Sequence, residues 1–499
     1  MTDASVQTNT AEPAISSPAF PTQTGRAAMA SAAARPGWLL AIVLTGQFMA
    51  ILDVTIVNVA APTIRSDLHT SGAGLQLVIS GYTIAYAMLL ITGARLGDLA
   101  GHRKIFNAGL AVFTLASFAC GLAVSTGWLV TFRLMQGAGA ALMVPQVLSL
   151  IQRTFQGAAR ARALSVYAAV IASAAVIGQV VGGALVSGDL FGTAWRPVFL
   201  VNVPIGAALL LLGRRMLPAD VGHRSRGLDL PGLFTLSTAV CLFVVPLVLG
   251  HEQGWPLWGW VALAASVVVF WLFVRLEGAL TRRGGSPLVP GRVLRAPGMV
   301  PVAVALFAGM ATYGGFLFTL ALHLQSGLGY SPLRAGLTFI PGAAGFAFAS
   351  LSWRRVPAAW QPALAPAGYA VAAVSYVALG VVLRDGAQGG VALGAALAGI
   401  GIGLGAAFSP LLTVALTHVA PADAADASGL LVTLVQLGQV VGVATFGTFF
   451  LTLVTHPRVH PSAHAEAMTA GALASVAVVA ALAGLALLRR RPGPVREAT

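Results

Sequence analysis

Long apolar stretches alternate along this chain with short strings of Arg, Gly and Pro. A helix that crosses a bilayer needs about 20 mainly apolar residues. Hydropathy and turn signals place such helices near 38–62, 75–96, 105–124, 128–151, 162–187, 196–213, 229–249, 257–276, 298–324, 332–353, 363–383, 389–417, 428–454 and 467–488. That makes fourteen, and an even number returns both chain ends to the same side. The fold class this pattern predicts is an all-α membrane protein.

Composition points to lipid as the solvent. Of 499 residues 57% are hydrophobic and 9% charged, with a mean hydropathy of +0.85; soluble domains carry about 25% charged residues. A net charge of +14 could indicate nucleic acid, so the placement of the basic residues decides. They stand between the predicted helices. Arg95, Arg103 and Lys104, then Arg153, Arg160 and Arg162, then Arg214, Arg215, Arg224 and Arg226 all fall on the side of the N-terminus, as do Arg282, Arg283, Arg292, Arg295, Arg354, Arg355 and Arg489 to Arg491. Arg65, Arg196, Arg334, Arg384 and Arg458 fall on the other side, and Arg133 lies within a span. This is the positive-inside bias, so no nucleic-acid partner is expected and both termini are expected to be cytoplasmic, in a multi-pass inner-membrane protein. Cys120 and Cys241 each sit in an apolar span, which indicates neither a disulfide framework nor a thiolate metal site. Residues 1–35, rich in Ala, Ser, Thr and Pro, read as a disordered cytoplasmic tail with no signal-peptide core.

The string Gly-Gln-Val-Val-Gly occurs at Gly178 to Gly182 and again at Gly438 to Gly442. Both copies lie late in long Gly/Ala/Val helices that follow an Ala-rich turn. The chain therefore divides into a six-helix half at 36–217, a two-helix insertion at 218–296, a second six-helix half at 297–489 and a short tail at 490–499. Transporters built of parallel repeats bind substrate near the bilayer midplane between the halves.

Four strings carry a family resemblance. Leu52-Asp53-Val54-Thr55-Ile56-Val57-Asn58-Val59-Ala60 resembles the first-helix signature of the fourteen-helix drug:proton antiporters of the major facilitator superfamily. Gly97-Asp98-Leu99-Ala100-Gly101-His102-Arg103-Lys104 resembles that superfamily's loop between helices 2 and 3. Arg133 to Ala141 is similar to the helix 4 motif that the family ties to proton coupling, and Trp195 to Pro204 to the start of helix 6. The helix 5 motif departs from the family's Gly-Pro-x-x-Gly-Gly: here Gly178, Gly182 and Gly183 are present and Gln179 replaces the proline. Small residues still permit close helix packing, while the kink is lost. Such a resemblance implies export of small organic compounds as a monomer in the lipid bilayer, driven by a proton gradient with no cofactor.

The ionisable residues narrow the chemistry. Every acidic residue other than Asp53 falls in a predicted tail, loop or helix end, Glu466 included. A charged side chain at a helix centre costs roughly 2.5 to 3.5 kcal/mol on insertion scales and marks function by default. Asp53 precedes Pro62 by nine residues and Arg133 follows Trp128 by five, which places both roughly 8 to 14 Å below the outer surface. They are expected to pair. Burial favours the neutral acid and the guanidinium favours the carboxylate, so separating the pair favours proton uptake; the plainer alternative is a permanent bridge between helices 1 and 4. Asp98, with Gly101 and Arg103, reads, with support from the resemblance, as a cytoplasmic gate that docks on a helix N-terminus of the other half, where the dipole contributes about 0.3 to 1 kcal/mol; the plainer alternative is a solvated charge run that only sets topology.

Polar residues within spans are candidates for a substrate cavity: Gln47, Asn58, Tyr82, Gln136 and Tyr313 foremost, with Gln47 and Asn58 on one helix face. His323, near the outer end of predicted helix 9, reads as a satisfied interface histidine rather than a proton relay. His456, His460 and His464 recur every four residues, but Pro457 and Pro461 break the helix that would present them together, so no metal site is expected. ATP is excluded as the energy source because a P-loop needs Lys followed by Ser or Thr, and the single lysine, Lys104, precedes Ile105. The expected function is proton-coupled efflux of a small amphipathic molecule, with no enzymatic step. Nutrient uptake or facilitated diffusion, and a non-transporting sensor, are the alternatives; the former lacks the motif set and the latter a soluble domain.

Overall fold

The computed structural model describes residues 36–489, apart from 190–191, 219–228, 251–252, 284, 286, 289–290, 385, 387–389, 418, 420–423 and 455–459. Both expected tails, together with Arg224, Arg226, His456 and Arg458, lie outside the described residues. Among those described, all regular secondary structure is helical. In order the long helices are α1 Pro36–Asp67, α2 Gly72–Ala100, α3 His102–Gly121, α4 Thr126–Thr154, α5 Gly157–Ser187, α6 Asn202–Met216, α7 Leu230–Leu249 and α8 Leu257–Arg282. The second half continues with α9 Met299–Leu322, α10 Ile340–Ser352, α11 Leu364–Leu383, α12 Gly390–Thr417, α13 Ala424–Val454 and α14 Pro461–Arg489. Short helical turns at Pro197–Leu200 and Pro332–Thr338 lead into α6 and α10. Thirteen of the described segments are long and apolar enough to cross a membrane, and α5, a continuous helix of 31 residues, occupies the place of the fifth predicted span.

Several helices outrun their predicted limits because their ends are capped beyond the apolar stretch. Ser71 accepts from Gly74 N at 3.0 Å to start α2 ahead of its predicted limit; α7, which keeps its predicted limits, is capped likewise by Asp229, accepting from Gly232 N at 2.8 Å. At α14, Pro461 stands in the first turn, where its fixed φ suits a helix and its missing N–H costs nothing. The helix therefore begins six residues earlier than hydropathy alone places it. Glu466 is thereby moved from a helix end into the interior of a span, fully buried. The expectation of a single acid within the spans is corrected accordingly; Glu277, buried in α8, is a further one.

Glycine sets how closely the helices approach. A Cβ at Gly182 would stand 2.8 Å from Ile56 Cγ1 of α1, and one at Gly442 would stand 2.7 Å from the carbonyl carbon of Ala311 in α9. The two copies of the repeated string thus do one job: each lets a long helix lie against the first helix of its own half. Gly183 turns instead to the other half, where a Cβ would meet Pro332 O at 2.7 Å. The inserted pair is arranged asymmetrically. Val240, Val244 and Leu247 of α7 pack with Ala73, Leu77 and Ile84 of α2 and Val440 and Ala444 of α13, so α7 covers a seam between the halves. Outside it, α8 exposes Trp258, Trp260, Val267, Val268, Phe270 and Trp271, a surface suited only to lipid.

Candidate functional site: a buried ion pair beside the seam

One end of the bundle carries Arg103, Arg153 and Arg214, and is called the basic end here; the opposite one is the far end. Between them, Asp53 in α1 is 0% exposed and Arg133 in α4 is 1% exposed. Nη1 of Arg133 donates to Asp53 Oδ2, forming the expected ion pair. Around it, side chains from several helices hydrogen-bond to the pair. Gln136 Nε2 donates to Asp53 Oδ1 at 2.6 Å and to Ser117 Oγ at 2.8 Å, while its Oε1 accepts from Arg133 Nη1 at 2.7 Å. Asn202 Nδ2 at the start of α6 donates to Asp53 Oδ1 at 3.1 Å. Arg133 Nε donates to Val78 O of α2 at 3.1 Å, and its guanidinium lies 4.8 Å from the Tyr82 ring centroid and 5.6 Å from that of Phe199. Such aromatic faces stabilise a desolvated cation by about 2 kcal/mol. Five helices, α1, α2, α3, α4 and α6, thus converge on one carboxylate.

This network takes two residues expected in the substrate cavity. Gln136 is three residues from Arg133 on the same helix face, so it follows the guanidinium to Asp53. Tyr82 stacks on the cation and donates through its hydroxyl to Ala50 O at 3.1 Å. Asn58 does reach a small cavity between the halves, lined also by Val54, Ser80, Thr83, Gly314 and Gln439. Its Nδ2 donates to Val54 O at 3.0 Å. Gln47, three turns nearer the basic end, is buried and does not line this cavity. Tyr313 stacks on Phe346 of α10 with ring centroids 6.1 Å apart. Asn202 and Ser117 were not singled out by the sequence, although Asn202 stands in the quoted Trp195 to Pro204 string.

The two ends differ. At the far end the halves are joined by several hydrogen bonds: Gln325 Nε2 donates to Val59 O at 3.0 Å, Leu333 N to Ser187 Oγ at 3.0 Å, and Gln76 lies within 3.4 Å of Thr448. Asp67 is held there by Trp195 Nε1 and Arg196 Nη1, each at 2.9 Å. At the basic end Asp98 is 65% exposed, with the His102 ring at 3.5 Å and the Arg153 guanidinium at 4.0 Å, both on the helices of its own half. Gly101 breaks the chain between α2 and α3 with φ 96°, a conformation that suits glycine. Arg103 Nη1 donates to Leu217 O at 3.1 Å, tying α3 to the end of α6, and His102 Nδ1 lies 2.7 Å from Gln146 Oε1.

Two sets of helices, a small, mainly apolar cavity between them with a few polar groups, and a buried paired charge define a multi-pass membrane transporter. The family profile of the Major Facilitator Superfamily matches residues 43–443, and the chain belongs to that superfamily. It is 37% identical over 443 residues to the probable actinorhodin transporter of Streptomyces coelicolor, covering 87% of this chain and 76% of that one. With the cephamycin export protein CmcT of Amycolatopsis lactamdurans it shares 36% over 444 residues, 85% of this chain and 87% of the other. The methylenomycin A resistance protein of Streptomyces coelicolor is 33% identical over 406 residues, 81% of this chain and 83% of that protein. A bacterial homologue of the human lysosomal transporter Spinster shares the fold, with a TM-score of 0.67 at 18% identity over 92% of this chain and 99% of that one.

Proposed function

We propose that the chain exports small amphipathic organic compounds, antibiotics or related secondary metabolites, in exchange for protons. The observation that carries the coupling is the enclosure of Asp53 with Arg133 in the first half, a charge that membrane depth penalises unless it is used. Direction is supported by two relatives at 33 and 36% identity, one named a cephamycin export protein and one a methylenomycin A resistance protein, beside the probable actinorhodin transporter at 37%. In this reading the basic end is cytoplasmic, as the arginine distribution favours, and the protein works as a monomer in the inner membrane. Its halves are 36–217 and 297–489, with the insertion 218–296 beside them.

Transport then runs as an exchange. With the far end closed, a compound enters from the cytoplasm and settles beside Asn58 and Gln439. Rocking of the halves opens the far end, and external water reaches Asp53. The carboxyl takes a proton, Arg133 keeps its bonds to Gln136 and the Val78 carbonyl, and the compound leaves; when the basic end reopens the proton passes from Asp53 to the cytoplasm and the ion pair forms again. Asp98, Gly101 and Arg103 form the cytoplasmic gate, Asp98 docking on the opposite half only while the basic end is shut. The test is a susceptibility panel in cells with and without the chain, followed by everted vesicles with a compound the panel selects. Adding that compound releases protons from the vesicle interior if exchange operates; a symporter or a passive carrier gives no such release.

A further inference from the structure

Away from Asp53, a second set of ionisable side chains is enclosed in the other half. Glu466 in α14 is 0% exposed, and neither carboxyl oxygen has a hydrogen bond. Thr319 of α9, itself buried, is its polar neighbour. His323, one turn further along α9, is 0% exposed with both ring nitrogens lacking a hydrogen bond, and Ser462 is the polar residue beside it. The sequence expectation of a satisfied histidine is met only loosely: the Ser462 backbone is its polar neighbour, without normal hydrogen-bond geometry to either ring nitrogen. The two helices run antiparallel, so Thr319 faces Glu466 on one level and His323 faces Ser462 on the next. Four residues of rise separate the levels by about 6 Å, a gap that one water spans.

Other elements add little charge to this pocket. From α11 comes Tyr376, whose hydroxyl has Thr312 as its polar neighbour, and Arg384 ends that helix at the surface. The far third of α13, Val443 to Val454, contains no ionisable residue. On α14 itself, His464 is half-buried and His460 exposed. Buried groups without partners do not hold helices together, because an unsatisfied polar atom destabilises the fold, and they call for another explanation. A link to movement supplies it. His323 opens a π-helical turn, His323–Gly327, of the kind that recurs at functional sites. In that same turn Gln325 makes the hydrogen bond to Val59 O that joins the halves at the far end.

We propose that Glu466 and His323 form a second proton site, which fills when the far end opens and is sealed when Gln325 closes on Val59. The inference rests on the proton-driven reading above and adds a second carrier to it. The step is a bare proton transfer between carboxyl and imidazole through water, with no bond broken elsewhere.

The test uses the full-length protein in liposomes and dicyclohexylcarbodiimide, a lipophilic reagent that adds to protonated carboxyl groups, with the Glu466 adduct quantified by mass spectrometry across a pH series. The adduct is expected in acid and falls severalfold as pH rises, with a midpoint that moves in His323→Gln; it persists in Asp53→Asn. No adduct at any pH, a yield indifferent to pH, or an unmoved midpoint in His323→Gln overturns the proposal. Labelling is read without any transported compound, so a chain that labels as expected yet releases no protons in the vesicle assay removes the exchange reading and leaves this site standing.

Discussion

Replacing Asp53 by Asn separates coupling from architecture. The substitution keeps shape but removes the charge that faces Arg133, whose side chain is 1% exposed. Breaking a buried pair by removing one partner costs about 3 to 5 kcal/mol, because the other charge is left uncompensated. Removing both charges, as in Asp53→Asn with Arg133→Gln, leaves neutral amides beside Gln136 and Asn202 and restores much of that loss. Thermal unfolding in detergent is expected to show a low midpoint for the single variant and a recovered one for the double. Transport behaves differently. One proton moved through 100 mV supplies about 2.3 kcal/mol, and at about 1.4 kcal/mol per factor of ten it sustains roughly a fortyfold concentration ratio. In liposomes with an imposed proton gradient, both variants are expected to lose this accumulation while retaining exchange of compound for compound down its own gradient. A permanent structural bridge predicts the opposite for the double variant, since the helices it fixes are fixed again. Gradient-driven accumulation at parental level in that double variant would refute the coupling argument.

Three smaller perturbations test the ends of the molecule. Gly183→Val places a side chain against the Pro332 carbonyl, so the far end should close poorly; with Cys120 and Cys241 replaced by Ala, a cysteine introduced at Ser187 is expected to react faster with an impermeant maleimide from that side. Asp67→Asn weakens an ion pair whose partners are 27% and 36% exposed, and such pairs contribute about 0 to 1 kcal/mol; its unfolding midpoint should move by no more than a few degrees, and a larger fall would mean that the Trp195 hydrogen bond is the main clamp. Asp98→Asn changes a side chain that is 65% exposed, so stability is expected to hold while the rate of vesicle transport drops severalfold.

The helical architecture was legible because lipid imposes it: every backbone polar group must be satisfied within the chain, so apolar length alone marks a span. The meeting of Asp53 and Arg133 was legible too, from matching depth on two helices. What escaped were matters of rotation and of helix ends. Gln136 shares a face with Arg133, a three-residue spacing the sequence displays, yet a polar residue in a span reads equally well as cavity lining until the neighbouring charge is located. Asn202 reaches Asp53 from a separate helix, and no spacing rule links residues 149 apart. Glu466 reads as a helix end by hydropathy, which ignores the first, polar turn of α14, where Pro461 starts the helix. A capping rule applied before the hydropathy limit would have moved that acid inward.

The repeated glycine string also shows how one scaffold carries unequal chemistry. Gly178 packs at Leu52 and Gly182 at Ile56 of α1; Gly438 packs at Phe307 and Gly442 at Ala311 of α9. These pairs superpose Leu52 on Phe307, so the position after each, Asp53 in the first half, is Ala308 in the second. The repeat therefore preserves close packing, which needs only small residues, while the position that carries Asp53 in the first half carries the uncharged Ala308 in the second. A charge at this depth is tolerated where partners enclose it, and α3, α4 and α6 supply them around Asp53 but nothing requires them around Ala308. The second half instead encloses its acid nearer the far end, at Glu466, beside the turn that closes on α1. Two similar halves thus enclose two different acids, Asp53 deep in the first half among hydrogen-bonding partners and Glu466 in the second half beside the turn that meets α1, so that under the exchange proposed above rocking of the halves is expected to bring each to water in a different setting.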